Sequence, residues 1–296
     1  MKKYSISLLL LITAMFTGKK LTCQENISTY TFQSGNFAIT TLSEGQQQNG
    51  TSILIDATPE IIKKYIPAGK YPSACNAFLV KTPDKTILID AGFGRVLFDN
   101  LKQKDVTADK VDVILLTHMH GDHIGGLLID EKVTFPNAEL YIAQPEHDYW
   151  MNIDSRGGEQ ARKVIAAYKD KLHLFAPTDL ENDNTELLSG IRAVAAYGHT
   201  PGHTAYLLKS DNEQFLVWGD LTHAMAIQMP HPEIAVTYDV SPSEAVIARK
   251  KILEYAEKNK IPVAGMHIAY PAMGIIKKAN EGYKFIDISD IVAYKE

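Results

Sequence analysis

The segment Thr-His-Met-His-Gly-Asp-His at residues 117–123 constrains this chain more than any other part of it. It places three imidazoles and one carboxylate directly after an apolar run, and such a group is costly to bury unless a metal or charged partners satisfy it. Imidazole and carboxylate together suit zinc and similar divalent ions. His118 and His120 alternate, so an extended segment directs both to one face. The following glycine permits a turn that directs Asp122 and His123 elsewhere, towards a second ion.

Residues of the same types follow downstream. A Gly-His-Thr-Pro-Gly-His turn at 198–203 supplies further imidazoles between predicted strands, and Asp220 and His267 each end a short apolar run. These groups all lie at predicted strand ends, where loops gather functional side chains on a rigid scaffold. Because five of the chain's ten histidines fall into this pattern, we interpret it as a metal site of a hydrolase and not as scattered packing residues.

In this order the residues resemble the metallo-β-lactamase superfamily, whose motif is His-x-His-x-Asp-His followed by single His, Asp and His ligands. The similarity extends from Ile-Asp-Ala-Gly at 89–92 to His267. It implies an α/β fold, the αβ/βα sandwich, in which two mixed β-sheets are flanked by helices and the metals lie at one edge between the sheets.

The resemblance also implies the ligands of two Zn²⁺ ions per chain, although other divalent metals suit the same donors. The first ion would be held by His118, His120 and His203. The second would be held by Asp122, His123 and His267, with Asp220 bridging both. His199 would shape the turn without binding metal. Cysteine is absent from every ligand position, unlike in single-zinc relatives that use a thiolate.

The branch of the superfamily that these segments resemble contains methyl parathion hydrolase and exported N-acyl-homoserine lactone lactonases. The resemblance rests on the residues around Asp220, on those that follow it to 242, and on the segment 264–271. It implies a quorum-quenching lactonase in which water shared between two ions about 3.5–4 Å apart attacks the lactone carbonyl. Hydrolysis of organophosphate triesters or aryl esters is the alternative. A non-catalytic binding protein is disfavoured because all seven ligand positions are filled.

Two residues are candidates for catalysis beyond metal binding. Asp122 can bind a metal through one carboxylate oxygen and carry a proton on the other. His223 stands three residues after Asp220, where many cytoplasmic relatives have a tyrosine that contacts the substrate carbonyl; an imidazole there can still donate a hydrogen bond. A pocket-lining role for His223 is the alternative.

Apolar residues near the ligand-bearing loops predict an adaptable apolar pocket. For any single one of them, ordinary packing in the core or in a loop is the simpler interpretation. These residues are Phe93, Met119, Met225, Ile227, Met229, Tyr270 and Met273. His147, His173 and His231 have no place in the motif, and we predict surface or structural roles for them.

The N-terminal residues have the pattern of a secretory signal. Two lysines precede an apolar run too short for a membrane anchor. We therefore predict a signal peptide over 1–23, a hydrolase domain over 24–296, and export to the periplasm or the medium. A lipoprotein signal with Cys23 as the lipidated residue is less favoured, because Lys20 stands where such signals prefer leucine.

Composition limits the partners. The chain has 296 residues, 45% of them hydrophobic, and a formal net charge of −5, which fits one sizeable α/β domain. This mildly acidic balance gives no electrostatic footprint for nucleic acid, and no window after the signal is long and apolar enough for stable membrane insertion. We expect a small-molecule lactone or ester as the partner, and the resemblance leaves a homodimer open.

Periodicity and turn residues predict the elements that carry these loops. A helix is predicted over 58–65 with Pro59 at its first position, and a hairpin around Pro83-Asp84-Lys85. A capping box at 241–244 should begin another helix. The residues predicted on the buried face of that helix are Ala245, Ile252, Leu253 and Ala256.

Overall fold

The computed structural model describes residues 28–292, so the predicted signal peptide at 1–23 lies outside the described residues. The described strands are β1 (Ser28–Ser34), β2 (Phe37–Gly50), β3 (Leu54–Ile55), β4 (Lys70–Lys81), β5 (Thr86–Ile89), β6 (Val113–Leu115), β7 (Leu128–Ile129), β8 (Lys132–Val133), β9 (Glu139–Ala143), β10 (Leu172–Phe175), β11 (Ile191–Ala195), β12 (Thr204–Ser210), β13 (Glu213–Val217), β14 (Ala235–Val236), β15 (Val263–Ala264), β16 (Met273–Lys278) and β17 (Tyr283–Asp287). The described helices are α1 (Pro59–Tyr65), α2 (Leu97–Gln103), α3 (Gly121–Ile124), α4 (Gln144–Asn152), α5 (Arg156–Tyr168), α6 (Met225–Gln228), α7 (Pro242–Asn259) and α8 (Ile288–Val292).

Two mixed sheets form the centre of the fold. The first has the strand order β1-β2-β4-β5-β6-β9-β10, and the second has the order β11-β12-β13-β15-β16-β17. Strands β5, β6, β9 and β10 run parallel to one another, whereas β1, β2, β4 and β5 pair antiparallel in succession. The predicted αβ/βα sandwich with two mixed β-sheets flanked by helices is confirmed.

Side chains alternate between the two faces of the first sheet, as a period of two requires. Ile89 and Leu115 belong to the core between the sheets. Leu88 and Ile114, one residue earlier on the same strands, pack with residues of α2, α4 and α5. The central strands are therefore buried on both faces and read as continuous apolar runs.

Helix α7 packs its apolar face into the core of the second sheet, and its predicted residues Ala245, Ile252, Leu253 and Ala256 are buried. The predicted capping box is wrong, because the Ser241 side chain makes no cap hydrogen bond. The Ser241 backbone N–H instead donates to the carbonyl oxygen of Gly198 at 2.8 Å. The start of α7 is thus fixed against the Gly-His-Thr-Pro-Gly-His turn.

The chain between β2 and β4 forms an excursion that includes α1 and β3. Thr58 caps α1 by accepting a hydrogen bond from the Ile61 N–H, and Pro59 occupies the first turn as predicted. Strand β3 pairs with β14, and a small apolar cluster joins the excursion to the segment after Asp220. This excursion forms part of the wall of the candidate site described below. Among the residues the structure covers, none of the helices combines the length and apolarity needed to cross a bilayer.

Candidate metal centre

The histidine-rich loops meet at one edge of the two sheets. His118 and its neighbours follow β6 of the first sheet, while His199 follows β11, Asp220 follows β13 and His267 follows β15 of the second. Parallel pairing of β13 with β15 places the last two strand ends side by side. The predicted convergence of loops from separate parts of the chain is therefore present.

One group of donors consists of His118, His120, His199 and Asp220, whose potential ligand atoms all lie within 4.8 Å of one another. The Nδ1 atom of His120 lies 2.8 Å from Nε2 of His118 and 3.0 Å from Nε2 of His199. Asp220 Oδ2 lies 3.3 Å from Nε2 of His199 and 3.7 Å from Nε2 of His118. These three rings and one carboxylate could hold a first metal ion.

A second group consists of Asp122, His123 and His267. Nε2 of His267 lies 3.7 Å from Asp122 Oδ2, and Nε2 of His123 lies 3.8 Å from Asp122 Oδ1. Asp220 reaches this group as well, because its Oδ1 lies 3.3 Å from His123 Nε2 and its Oδ2 lies 2.9 Å from His267 Nε2. Asp220 therefore stands between the two groups, in the position predicted for a bridge.

The structure corrects one predicted ligand: His199, and not His203, joins the first group. Both ring nitrogens of His203 already have partners. Its Nδ1 donates to the Ala196 carbonyl oxygen at 2.8 Å, and its Nε2 accepts from the backbone N–H of Asp220 at 2.9 Å. His203 consequently has no nitrogen free for a metal and instead positions Asp220. His199 directs its Nε2 at His120 and Asp220, so we propose it as a first-site ligand in place of the predicted turn-shaping role.

The rings that form the two groups are oriented by a second set of hydrogen bonds. Nδ1 of His123 donates to Asp90 at 2.6 Å, Nδ1 of His199 donates to Asp239 at 2.9 Å, and Nδ1 of His267 donates to the Ala74 carbonyl oxygen at 2.8 Å. In the neutral ring, each bond fixes the tautomer in which the other nitrogen carries a lone pair directed into the site, an arrangement typical of metal-binding histidines.

Two buried atoms of the two donor groups have no hydrogen-bond partner among the described residues: Nε2 of His123 and Oδ1 of Asp220. A buried polar atom without a partner is destabilising. These atoms face one another across 3.3 Å. A divalent cation would satisfy both, together with the converging lone pairs, so the residues fit the two-metal site that the donor set implies.

The electrostatics of the site differ between its donors. Burial opposes protonation of His123, His199 and His267, but the neighbouring carboxylates outweigh it and raise their pKa values, whereas the other donors are in the form that binds metal. Burial lowers the pKa of His118 and of His120, so both rings are neutral near pH 7. Burial alone would raise the pKa of Asp220, but the surrounding imidazoles, led by His123, hold it well below its usual range. Burial would also raise the pKa of Asp122, which His123 and His267 instead lower. Both carboxylates are therefore ionised.

A cavity of about 410 Å³ opens onto the two groups. Its wall combines the apolar side chains of Ile53, Phe93 and Tyr238 with the polar side chains of Gln47, Asn49 and Ser73. Phe93 is the one residue of the predicted apolar pocket that lines it. Met119, Ile227 and Met273 are buried in cores, and Met225 and Met229 line a different groove beside α1. The predicted pocket was thus mostly wrong, because closeness in sequence to a ligand does not set the direction of a side chain.

The remaining histidines contact exposed or half-exposed carboxylates. His147 pairs with Asp148, His173 with Glu139 and His231 with Glu233. Cys75 is a free thiol.

A sequence model of the metallo-beta-lactamase superfamily matches residues 71–261, which include every candidate ligand except His267. This chain belongs to the metallo-β-lactamase superfamily. Two solved structures of related proteins align over most of this superfamily member. One is AidC, a dizinc quorum-quenching lactonase in complex with a product; it is 27% identical, the alignment covers 87% of this chain and 96% of AidC, and the TM-score is 0.80. The other is the hydrolase AbOPH, with 30% identity, coverage of 90% and 99%, and a TM-score of 0.79.

A curated relative is the metallo-beta-lactamase fold-containing protein ST1585 of Sulfurisphaera tokodaii. It is 28% identical over 166 residues, which cover 52% of this chain and 60% of that protein. The chain thus matches less than two thirds of this relative's length. Membership of the metallo-β-lactamase superfamily, together with the donor groups, supports a metal-dependent hydrolase.

We predict that metal binding at the second group depends on pH. In the metal-free protein burial opposes protonation of His267, but the charges of Asp220 and Asp122 outweigh burial and raise its pKa to about 9. A metal ion must displace this proton, because imidazole binds through a neutral nitrogen. The zinc affinity of the second group should therefore rise about tenfold or more per pH unit below the pKa of His267.

Competition with a chromogenic chelator, measured from pH 6 upwards, tests this dependence. The His267→Ala variant is the matched control, since its remaining zinc binds without displacing that proton. Zinc affinity of the wild-type protein that did not change with pH would contradict the expected protonation of His267.

Proposed function

We propose that this protein is a dinuclear zinc hydrolase that opens the lactone ring of N-acyl-homoserine lactones. The observation that carries the proposal is the position of Asp220 between two histidine groups at the base of a cavity with a mixed wall. An N-acyl-homoserine lactone has a polar ring and amide joined to an apolar chain, which matches the polar and apolar parts of this wall. The similarity to AidC supports the same substrate class.

Bound zinc ions supply Lewis-acid activation of water and of the ester carbonyl. The residues around them orient the reactants and move protons. Asp122 is suited to proton transfer, because its carboxylate is ionised and its side chain keeps 24% of its surface exposed. We propose that it accepts a proton from the attacking water and returns it to the alkoxide that leaves when the ring opens.

His223 lines the cavity and contacts the carboxylate of Asp220. Its Nε2 lies 3.1 Å from Asp220 Oδ2, and burial lowers its pKa to about 4, so the ring is neutral and donates to the carboxylate. This geometry favours a role in holding Asp220 over the predicted donation to the substrate carbonyl. We propose His223 as a positioning residue whose ring also contacts the substrate.

Replacing His223 by phenylalanine should lower kcat by about 10- to 100-fold, the usual effect of losing an outer partner of a metal ligand. Replacement by glutamine should lower kcat less, because an amide N–H can still donate to Asp220. Both variants should retain zinc. Steady-state kinetics with zinc quantified in each sample measures the effect, and a phenylalanine variant with wild-type kcat would exclude this role.

Hydrolysis of an organophosphate triester or aryl ester is the second candidate. Two aromatic residues at the cavity, Phe93 and Tyr238, keep 42% and 54% of their surfaces exposed. Such exposed rings could pack against an aryl leaving group. The two candidate functions use the same metal centre and differ in which part of the substrate contacts these two aromatic rings.

Parallel kinetics of the mature, zinc-quantified protein with an N-acyl-homoserine lactone and an activated phosphotriester would test the proposal. Fast lactone opening with slow triester cleavage supports the lactonase, and the reverse order supports the second candidate. Hydrolysis of neither substrate by protein that holds two zinc ions would overturn both substrate assignments and leave the metal centre intact.

A further inference from the structure

Glu146 is a buried carboxylate outside the two donor groups. It lies in α4, is 1% exposed, and forms no ion pair with a lysine, arginine or histidine in the part of the chain that the structure describes. A buried carboxylate without a counter-charge is costly unless hydrogen bonds compensate it. Burial raises the pKa of Glu146, and its hydrogen bonds act in the opposite direction. The position of those donors indicates what this side chain does.

Each carboxylate oxygen of Glu146 accepts two hydrogen bonds. Oε1 accepts from the backbone N–H of Met119 at 2.9 Å and from the indole N–H of Trp150 at 2.5 Å. Oε2 accepts from the hydroxyl of Thr200 at 2.6 Å and from the backbone N–H of Gly202 at 3.0 Å. One carboxylate thereby joins two loops that are far apart in the sequence.

Each of these loops carries first-group ligands. Met119 lies between His118 and His120, and Thr200 directly follows His199. The indole of Trp150 also meets the ring of His120 edge-on, with centroids 5.4 Å apart. Glu146 therefore fixes the separation of the backbone segments that hold all three first-group imidazoles.

The close approach of the second loop to α4 requires glycine at position 202. A Cβ atom on Gly202 would overlap the backbone and Cβ of Glu146. The loop is consequently seated directly on the helix and has little freedom to move unless the hydrogen bonds to Glu146 break.

Ligands of the second group are held by different partners. His123 is oriented by Asp90, and His267 by the carbonyl oxygen of Ala74. Neither partner contacts Glu146 in any hydrogen bond of the described residues. Because Asp90 and the Ala74 carbonyl oxygen orient the second-group rings, a disturbance at Glu146 should weaken the first group more than the second.

We propose that Glu146 is a positioning residue for the first metal site, which sets the affinity of that site without contacting the metal. The inference rests on the proposed two-metal centre. Glutamine in place of Glu146 keeps the volume but directs an N–H₂ group towards N–H donors, so at least one hydrogen bond to a ligand-bearing loop must break. Loss of such an outer partner lowers metal affinity by about 10- to 100-fold.

The experiment measures zinc dissociation constants by chelator competition in two backgrounds. In His267→Ala, which disables the second site, adding Glu146→Gln should weaken the remaining zinc by about 10- to 100-fold. In His199→Ala, which disables the first site, the same addition should change the remaining affinity by less than about threefold, because His123 and His267 are oriented by Asp90 and the Ala74 carbonyl oxygen and not by Glu146. A general loss of structure would weaken zinc equally in both backgrounds and would overturn the inference.

Thr200→Val provides a second test if the glutamine variant does not fold. It removes one of the four donors to Glu146, preserves side-chain shape, and should weaken only the zinc of the His267→Ala background. Unchanged affinity there would also overturn the inference.

Zinc binding does not depend on turnover, so a wild-type protein that binds two zinc ions but hydrolyses neither test substrate refutes the proposed substrates alone. A wild-type protein with one zinc site refutes the inference and the two-metal centre together.

Discussion

Replacing Asp220 by alanine is expected to abolish turnover and to reduce zinc at both sites. Asp220 is buried and lies within 3.7 Å of imidazole nitrogens from both donor groups. Its removal leaves those rings close together without the negative charge that balances bound cations. Because bound metal stabilises a hydrolytic transition state by several kcal/mol, we expect activity to fall by about three orders of magnitude or more.

Zinc content by elemental analysis and kinetics with the preferred substrate measure the effect. The Asp84→Ala variant is a suitable control, because Asp84 lies exposed in the turn between β4 and β5. It should retain two zinc ions and wild-type kinetics. An Asp220→Ala protein with two tightly bound zinc ions would contradict the bridging assignment.

The second prediction with a large expected effect distinguishes the role of His199 from that of His203. His199→Ala should lose the first-site zinc, so that zinc content falls from two to about one per chain, and activity should fall as it does for Asp220→Ala. His203→Ala should retain both ions. It removes the acceptor of the buried Asp220 N–H, which should cost about 1–3 kcal/mol of unfolding free energy.

Elemental analysis and denaturant unfolding of the two variants distinguish these outcomes. The pair is well matched, since both histidines are buried in one turn and both are replaced by the same residue. Loss of zinc from His203→Ala, with zinc retained in His199→Ala, would restore the ligand set predicted from the sequence.

The fold and most of the site could be predicted from the sequence because their signals are local. The run 117–123 carries four of the candidate ligands within six residues, and strand alternation fixes which side chains share a face. The apolar runs before Asp90, His118 and Asp220 are indeed strands that end at the site. Each of these inferences depends on neighbours in the sequence.

The choice between His199 and His203 could not be made in the same way. Both stand in one turn of similar composition, and the decision depends on which ring meets the Ala196 carbonyl and the Asp220 N–H after folding. Glu146 and Asp239 were missed for the same reason, because their partners lie far away in the chain. Side chains that act through tertiary hydrogen bonds leave no periodic signal.

The distribution of donors over the two sheets has a consequence for the lifetime of the protein. Four candidate ligands follow β6 of the first sheet, and His199, Asp220 and His267 follow strands of the second. Bound metal would therefore cross-link the two halves of the sandwich at their shared edge, and ligands that bind only the folded state stabilise it in proportion to the logarithm of their concentration. Resistance to proteolysis should then rise with the concentration of free metal. A shortage of free metal would therefore both inactivate the protein and speed its degradation.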